Sequence, residues 1–107
     1  MTPYRMVPDP LLDEAARRFA LLGDTNRLRI LRVLHEGEAT PAAIVEATGL
    51  AAPNVSQHLG RLALAGFVAR RREAGSVLYR IADATLADLC DLVCTSLRSR
   101  AEVLASS

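Results

Sequence analysis

The chain has 107 residues, of which 50% are hydrophobic, 23% charged and only 4% aromatic. That length supports one compact domain and excludes two, and the composition excludes a disordered chain in favour of a core of Leu, Ala, Val and Ile carried on helices. No apolar stretch reaches the roughly 18 residues of a membrane span, and Pro3, Pro8 and Pro10 break up the N-terminal segment where a signal peptide would need an apolar run, so a soluble, cytoplasmic protein is expected.

The net charge of +1 conceals an uneven distribution. Residues 1–52 hold six Arg and seven acids, residues 53–81 five Arg and one Glu, and residues 82–107 two Arg and four acids, giving −1, +4 and −2. The positive excess therefore lies in one block, the pattern of a surface that meets an anionic partner.

Residues 1–8 are expected to be disordered, and a single domain is expected over 9–105. Asp9-Pro10 reads as a cap followed by proline at the first helical position. Leu12, Ala15, Ala16, Phe19 and Leu22 then form a helical stripe that Gly23 ends. A second helix should begin near Asp24 or Thr25, bury Leu28, Ile30, Leu31 and Leu34, carry Arg27, Arg29 and Arg32 on its other side, and stop at Gly37. His35 falls at its C-terminal end, where the helix dipole favours it. Thr40-Pro41 repeats the cap signal for a short helix bearing Ile44 and Val45, and Gly49 permits a tight turn before a helix over about 52–65.

After Gly66 the pattern changes. Residues 67–72 and 77–81 suit β-strands and Glu73-Ala74-Gly75-Ser76 suits a hairpin turn. Asp83 then caps a last helix with Leu86, Leu89, Cys90, Val93, Cys94, Leu97, Ala101 and Leu104 at i, i+3, i+4 spacing. The fold class is mainly α with a small β-hairpin.

Helix, turn, helix and hairpin in this order describe a winged helix-turn-helix, whose second helix enters the DNA major groove. In that helix Val55, Leu59 and Leu62 should face the core, leaving Pro53, Asn54, Ser56, Gln57, His58 and Arg61 on or near the open face. Asn and Gln can pair bidentately with adenine and Arg with guanine. The hairpin arginines Arg70, Arg71, Arg72 and Arg80 are expected to neutralise phosphates or reach an adjacent minor groove. Double-stranded DNA is thus the expected partner. The rival is a winged helix that binds protein instead, and steep salt dependence would separate the two. No phosphate loop, catalytic acid pair or Ser/His/Asp set stands out, which argues against an enzyme.

These residues resemble the ArsR/SmtB-type winged-helix repressors of bacteria and archaea over about 19–94. The segment from Phe19 to Leu31, FALLGDTNRLRIL, is similar to that family's opening signature, and Val55-Ser56-Gln57-His58-Leu59 with Ala65-Gly66-Phe67-Val68 is similar to its recognition helix and strand entry. Thr25 stands where the family usually has proline, and Ala51 where it usually has a capping Ser, a loss of about 1 kcal/mol of local stability. The resemblance implies a homodimer that binds an inverted repeat and leaves it when an inducer binds. Periodicity agrees: the first and last helices expose more apolar face than one small domain can cover, with Leu12, Ala16, Phe19, Leu89, Val93 and Leu97 as the expected dimer contacts.

The family's commonest metal sites are missing. Glu38-Ala39-Thr40-Pro41-Ala42-Ala43 occupies the stretch that would carry Cys-x-Cys. Of the Asp/His site on the last helix only Asp83 matches, with Thr85, Ser96 and Ser99 near the other positions. What remains is Cys90 and Cys94, at i and i+4 on one face, close enough to share a soft ion such as cadmium or a trivalent metalloid. Two thiolates do not complete a tetrahedral site, whereas two copies crossing near residue 92 would supply four thiols. The same pair could instead be oxidised between subunits, or serve only as small buried hydrophobes.

Overall fold

The structure is a computed structural model, which describes residues 3–106. Part of the segment expected to be disordered, residues 1 and 2, lies outside the described residues. Tyr4–Met6 forms one 3-10 turn that buries nothing.

Helix α1 (Asp9–Leu22) begins one residue earlier than the cap signal predicts. Pro8 is the N-cap, and its carbonyl accepts from the backbone N–H of Leu11 and Leu12. Proline therefore supplies the turn geometry at the start, while Asp9 sits in the first turn at the positive end of the dipole. Helix α2 (Thr25–His35) starts as predicted, with Asp24 Oδ1 accepting from the backbone N–H of Arg27 at 3.1 Å. This bond holds the Asp24 carboxyl below the usual aspartate range. Ile30, Leu31 and Leu34 are buried, whereas Leu28 is 43% exposed, contrary to expectation. Arg27, also contrary to expectation, lies on the inward side: positions 27, 31 and 34 recur at spacings of four and three, so Arg27 shares a face with the core residues.

Helix α3 (Pro41–Thr48) is capped by Thr40 Oγ1, which accepts from the N–H of Ala43, and ends at Gly49 in the left-handed conformation. Helix α4 (Ala52–Leu64) has no side-chain cap at Ala51. Its Val55, Leu59 and Leu62 are completely buried together with Ile30 and Ile44, so α4 is seated by one face only.

Strands β1 (Val68–Glu73) and β2 (Ser76–Ile81) form the antiparallel wing. Glu73 and Ser76 pair across the ladder, so the turn is shorter than predicted and consists of Ala74 and Gly75 alone. Both have positive φ, +50° and +81°, as a two-residue type I′ hairpin requires. Ala39 also exchanges backbone hydrogen bonds with Tyr79, which ties the α2–α3 connection to the open edge of β2. That bridge puts Glu38 beside the wing. Arg71 Nε and Nη2 donate to its two carboxylate oxygens at 2.7 and 3.1 Å, and Nη2 also pairs with Glu73 at 3.0 Å. The Arg71 bonds hold Glu38 below the usual glutamate range and push the Arg71 guanidinium upward.

Helix α5 (Ala84–Ser106) is capped by Asp83, whose Oδ1 accepts from the N–H of Thr85 at 2.9 Å. Leu86 is buried and Leu89 and Cys90 are half-buried, but every described residue from Asp91 onward is exposed. The helix leaves the domain in its second turn and runs free of it.

The Ala74 strain gives a direct expectation. Ala74→Asn creates the Asn-Gly pair that tolerates this turn, and should raise stability by about 1 kcal/mol, read as a higher urea midpoint with unchanged slope. The Glu38–Arg71 pair gives another. A depressed carboxyl contributes stability that is complete above its ordinary value of 4.5 and is lost as pH falls through the lowered folded value. Wild type should therefore exceed Glu38→Gln in urea midpoint at pH 7, with the difference shrinking as pH is taken progressively below 4.5; a difference that does not shrink on acidification would place the effect elsewhere.

Candidate nucleic-acid interface

Because α4 is held by its apolar face, its polar face is left to solvent. Pro53, Asn54, Ser56, Gln57 and Arg61 are all exposed. The spacings of three and four put Asn54, Gln57 and Arg61 on one side, with Pro53 and Ser56 beside them. Among the described residues none of these polar side chains has a hydrogen-bond or ion-pair partner, so their donors and acceptors are available outward. Arg61 stands in the last turn, where it also lines an open groove of about 270 Å³ with Glu14, Arg17, Leu21 and Leu64.

His58 lies at the edge of the open face rather than fully on it. It is half-buried, and its Nδ1 accepts from Arg27 Nε at 3.2 Å. The expected wing cations also divide. Arg71 is neutralised by Glu38 and Glu73 and is therefore not a free cation for phosphate. Arg70 and Arg72 are exposed without an ion-pair partner among the described residues, and Arg80 is exposed within electrostatic reach of Glu38.

Sequence reasoning missed two further features. Arg18 of α1 joins four elements: it pairs with Glu14 at 3.4 Å and Asp83 at 3.7 Å, donates to the Ala65 carbonyl at 3.2 Å, and lies 5.0 Å from the Phe67 ring centroid. One cation thereby links α1 to the end of α4, the entry of the wing and the cap of α5. Apart from the i,i+4 pair with Glu14, nothing local in sequence marks it, since its other partners are 47 and more residues away. Gly60 is the second. It is exposed within α4, and a Cβ there would meet only open space. A glycine costs a helix about 1 kcal/mol, and no neighbour within the protomer requires one. An exposed glycine in mid-helix was the available signal.

The expected dimer residues are not consumed by the protomer's own core. Phe19, Val93 and Leu97 are 60%, 51% and 59% exposed, Ala16 is exposed, and Leu12 and Leu89 are half-buried. Cys94 on the same helix is exposed, while Cys90 is half-buried against the core, and burial pushes its thiol up. No group of three or more His, Cys, Asp or Glu gathers into a metal-holding arrangement among the described residues. Nor is any helix there long and apolar enough to cross a membrane.

Residues 22–71 match the model of a helix-turn-helix domain family. The chain is 40% identical over 83 residues to a probable mercury resistance operon repressor of Streptomyces lividans, a match covering 78% of this chain and 66% of that protein. It is 37% identical over 82 residues to the transcriptional repressor SmtB of Mycobacterium tuberculosis, covering 77% of this chain and 61% of that one. The matches thus span about two thirds or less of these two relatives. Among solved structures, the homodimeric winged helix-turn-helix domain of Mb0332 from Mycobacterium bovis, described as a possible ArsR-family regulator, superposes with a TM-score of 0.80 at 36% identity, covering 91% of this chain and 93% of that one. With its α2–α5 order, its two-stranded wing and these relatives, the chain belongs to the ArsR/SmtB family of winged helix-turn-helix transcriptional regulators.

Proposed function

We propose that the chain is a homodimeric, sequence-specific DNA-binding repressor that an inducer releases from its operator. The observation that carries this reading is α4 itself: three buried aliphatic residues hold it while Asn54, Ser56, Gln57 and Arg61 face outward with no intramolecular partner among the described residues. These are the side chains that read base edges in the major groove. The wing adds Arg70, Arg72 and Arg80 for phosphate contact, and Arg71 holds the wing in place through Glu38. The exposed apolar residues of α1 and α5 are the surface on which a second copy would pack, setting two recognition helices about one DNA turn apart.

We further infer that Cys90 and Cys94 receive the inducer, a soft metal or trivalent metalloid. Cys94 is accessible, and the protomer supplies only two thiols, so a four-thiolate site for a tetrahedral ion would be completed by a second copy. The mercury-resistance relative makes mercury(II) a natural addition to cadmium and arsenite as probes. Each thiol must lose its proton to bind metal, and burial at Cys90 opposes that loss, so metal affinity should rise with pH. Oxidation of the exposed Cys94 is the second reading; the two thiols would surrender two electrons and two protons to an oxidant such as peroxide.

Duplex selection from a random library followed by titration tests the DNA reading. Gln57→Ala should alter sequence preference and Arg61→Ala should weaken the selected duplex by about 1–3 kcal/mol. Arg72→Ala should weaken all sequences alike and reduce the salt slope by about 1. Leu97→Glu should give a folded monomer by sedimentation, with operator affinity lost. Unchanged binding in both Gln57→Ala and Arg61→Ala would refute the assigned face.

For the cysteines, titration of the operator complex with cadmium, mercury(II), arsenite or peroxide should release wild type and leave a Cys90→Ser, Cys94→Ser double variant bound. Equal release of both proteins would show that the inducer site lies elsewhere.

A further inference from the structure

Arg27 lies on the inward face of α2, and its side chain reaches α4. Its Nη1 donates to the Leu21 carbonyl at 2.9 Å and the Ala20 carbonyl at 3.5 Å, at the C-terminal end of α1. Its backbone N–H is held by the Asp24 carboxylate. With the guanidinium fixed at one end, its Nε–H donates to His58 Nδ1.

That bond determines the chemistry of the ring. A guanidinium stays protonated and offers donors only, so Nδ1 must supply a lone pair, and a neutral imidazole then carries its proton on Nε2. No described residue accepts from Nε2. His58 is four residues after Asn54 and three before Arg61, so it borders the face those residues form.

We propose that Arg27 is a positioning residue for DNA reading: by donating to Nδ1 it fixes His58 as a single Nε2–H donor at the edge of α4, so that the chain requires a hydrogen-bond acceptor on the DNA opposite residue 58. The acceptor is either a base edge, such as purine N7, guanine O6 or thymine O4, or a phosphate oxygen. This rests on the major-groove reading of α4 given above. It adds that the donor state of one recognition residue is set from α2 and the end of α1.

The ring state is read on the free protein, independently of DNA. Long-range ¹H–¹⁵N correlation on the full-length chain should show His58 Nδ1 unprotonated and Nε2 protonated in wild type, with that preference lost in Arg27→Met. A wild-type ring protonated on Nδ1, or a mixture of the two tautomers, overturns the proposal. The DNA arm uses a duplex selected from a random library by wild type. His58→Phe should weaken that duplex on the order of tenfold, and His58→Gln, which restores a donor near the Nε2 position, should recover most of the loss. Arg27→Met should cost much less on the His58→Phe background than on wild type. His58→Phe and His58→Gln leave Arg27 and its bonds to α1 intact, so the test survives if Arg27→Met fails to fold.

Base-pair substitution across the duplex separates the two acceptors. One position at which wild type discriminates and His58→Phe does not identifies a base edge; an equal loss on every sequence identifies a phosphate. Equal affinity of wild type and His58→Phe overturns the proposal while leaving the DNA reading standing. If wild type selects no duplex, the DNA reading falls and this one falls with it.

Discussion

Everything the domain presents depends on how α4 is seated. Val55, Leu59 and Leu62 are fully buried against the aliphatic residues of α2 and α3, at roughly 1.5–3 kcal/mol for each side chain removed from water. This apolar stripe is narrow, so it fixes the rotation of the helix while covering only a fraction of its circumference. A wider stripe would seat α4 more firmly and leave less of it exposed. A stripe one residue out of phase would turn Asn54, His58 and Arg61 toward the core, where unpaired polar and charged groups are costly. The lack of a side-chain cap at Ala51 fits this economy, because the fold does not rely on α4 standing alone.

The core also explains why arginine does so much of the connecting. No polar or charged side chain among the described residues is buried, so the elements are joined at their margins by long cationic side chains that reach carbonyls and carboxylates from partly exposed positions. Arg18 binds the end of α4, Phe67 and Asp83; Arg27 binds the end of α1 and His58; Arg71 binds Glu38 across the wing. Each exposed pair adds little to global stability. Each does restrict how one element sits on the next, and geometry is what recognition of a fixed DNA lattice demands.

The sequence made visible whatever has a local signature. The caps at Asp24, Thr40 and Asp83, the buried triplet of α4, the wing and the long unfilled stripe of α5 all follow from spacing or from residues within one turn. It did not reveal contacts between residues far apart in the chain. Arg71 reads as a free cation until the Ala39–Tyr79 bridge brings Glu38 beside it. His58 reads as one more polar residue on α4 until Arg27, 31 residues earlier, is found against its ring. Leu28 was misplaced for a simpler reason: an apolar residue near the edge of a helical stripe can fall either side of the boundary, and here Arg27 occupies the inward position beside it. The resemblance to ArsR/SmtB repressors reached the family correctly but could not carry these contacts, since none of them is a property of a short motif.

In the proposed dimer, the path between inducer and DNA is short. Beyond its second turn α5 has no support from its own domain, so its direction is set where Asp83, Leu86 and Leu89 anchor it and, further along, by the second copy. Cys90 and Cys94 lie at the junction of those two regions. A ligand held by thiols from both copies would favour one angle between the two α5 helices. Arg18 ties the cap of α5 to the end of α4, so that angle bears on the separation of the two recognition helices. Neither domain need unfold for DNA to be released. The ligand must bind the released arrangement more tightly than the DNA-bound one, and the release it can drive is limited to that difference in affinity. A site divided between two copies meets this condition naturally, because its geometry is itself the relation between the subunits.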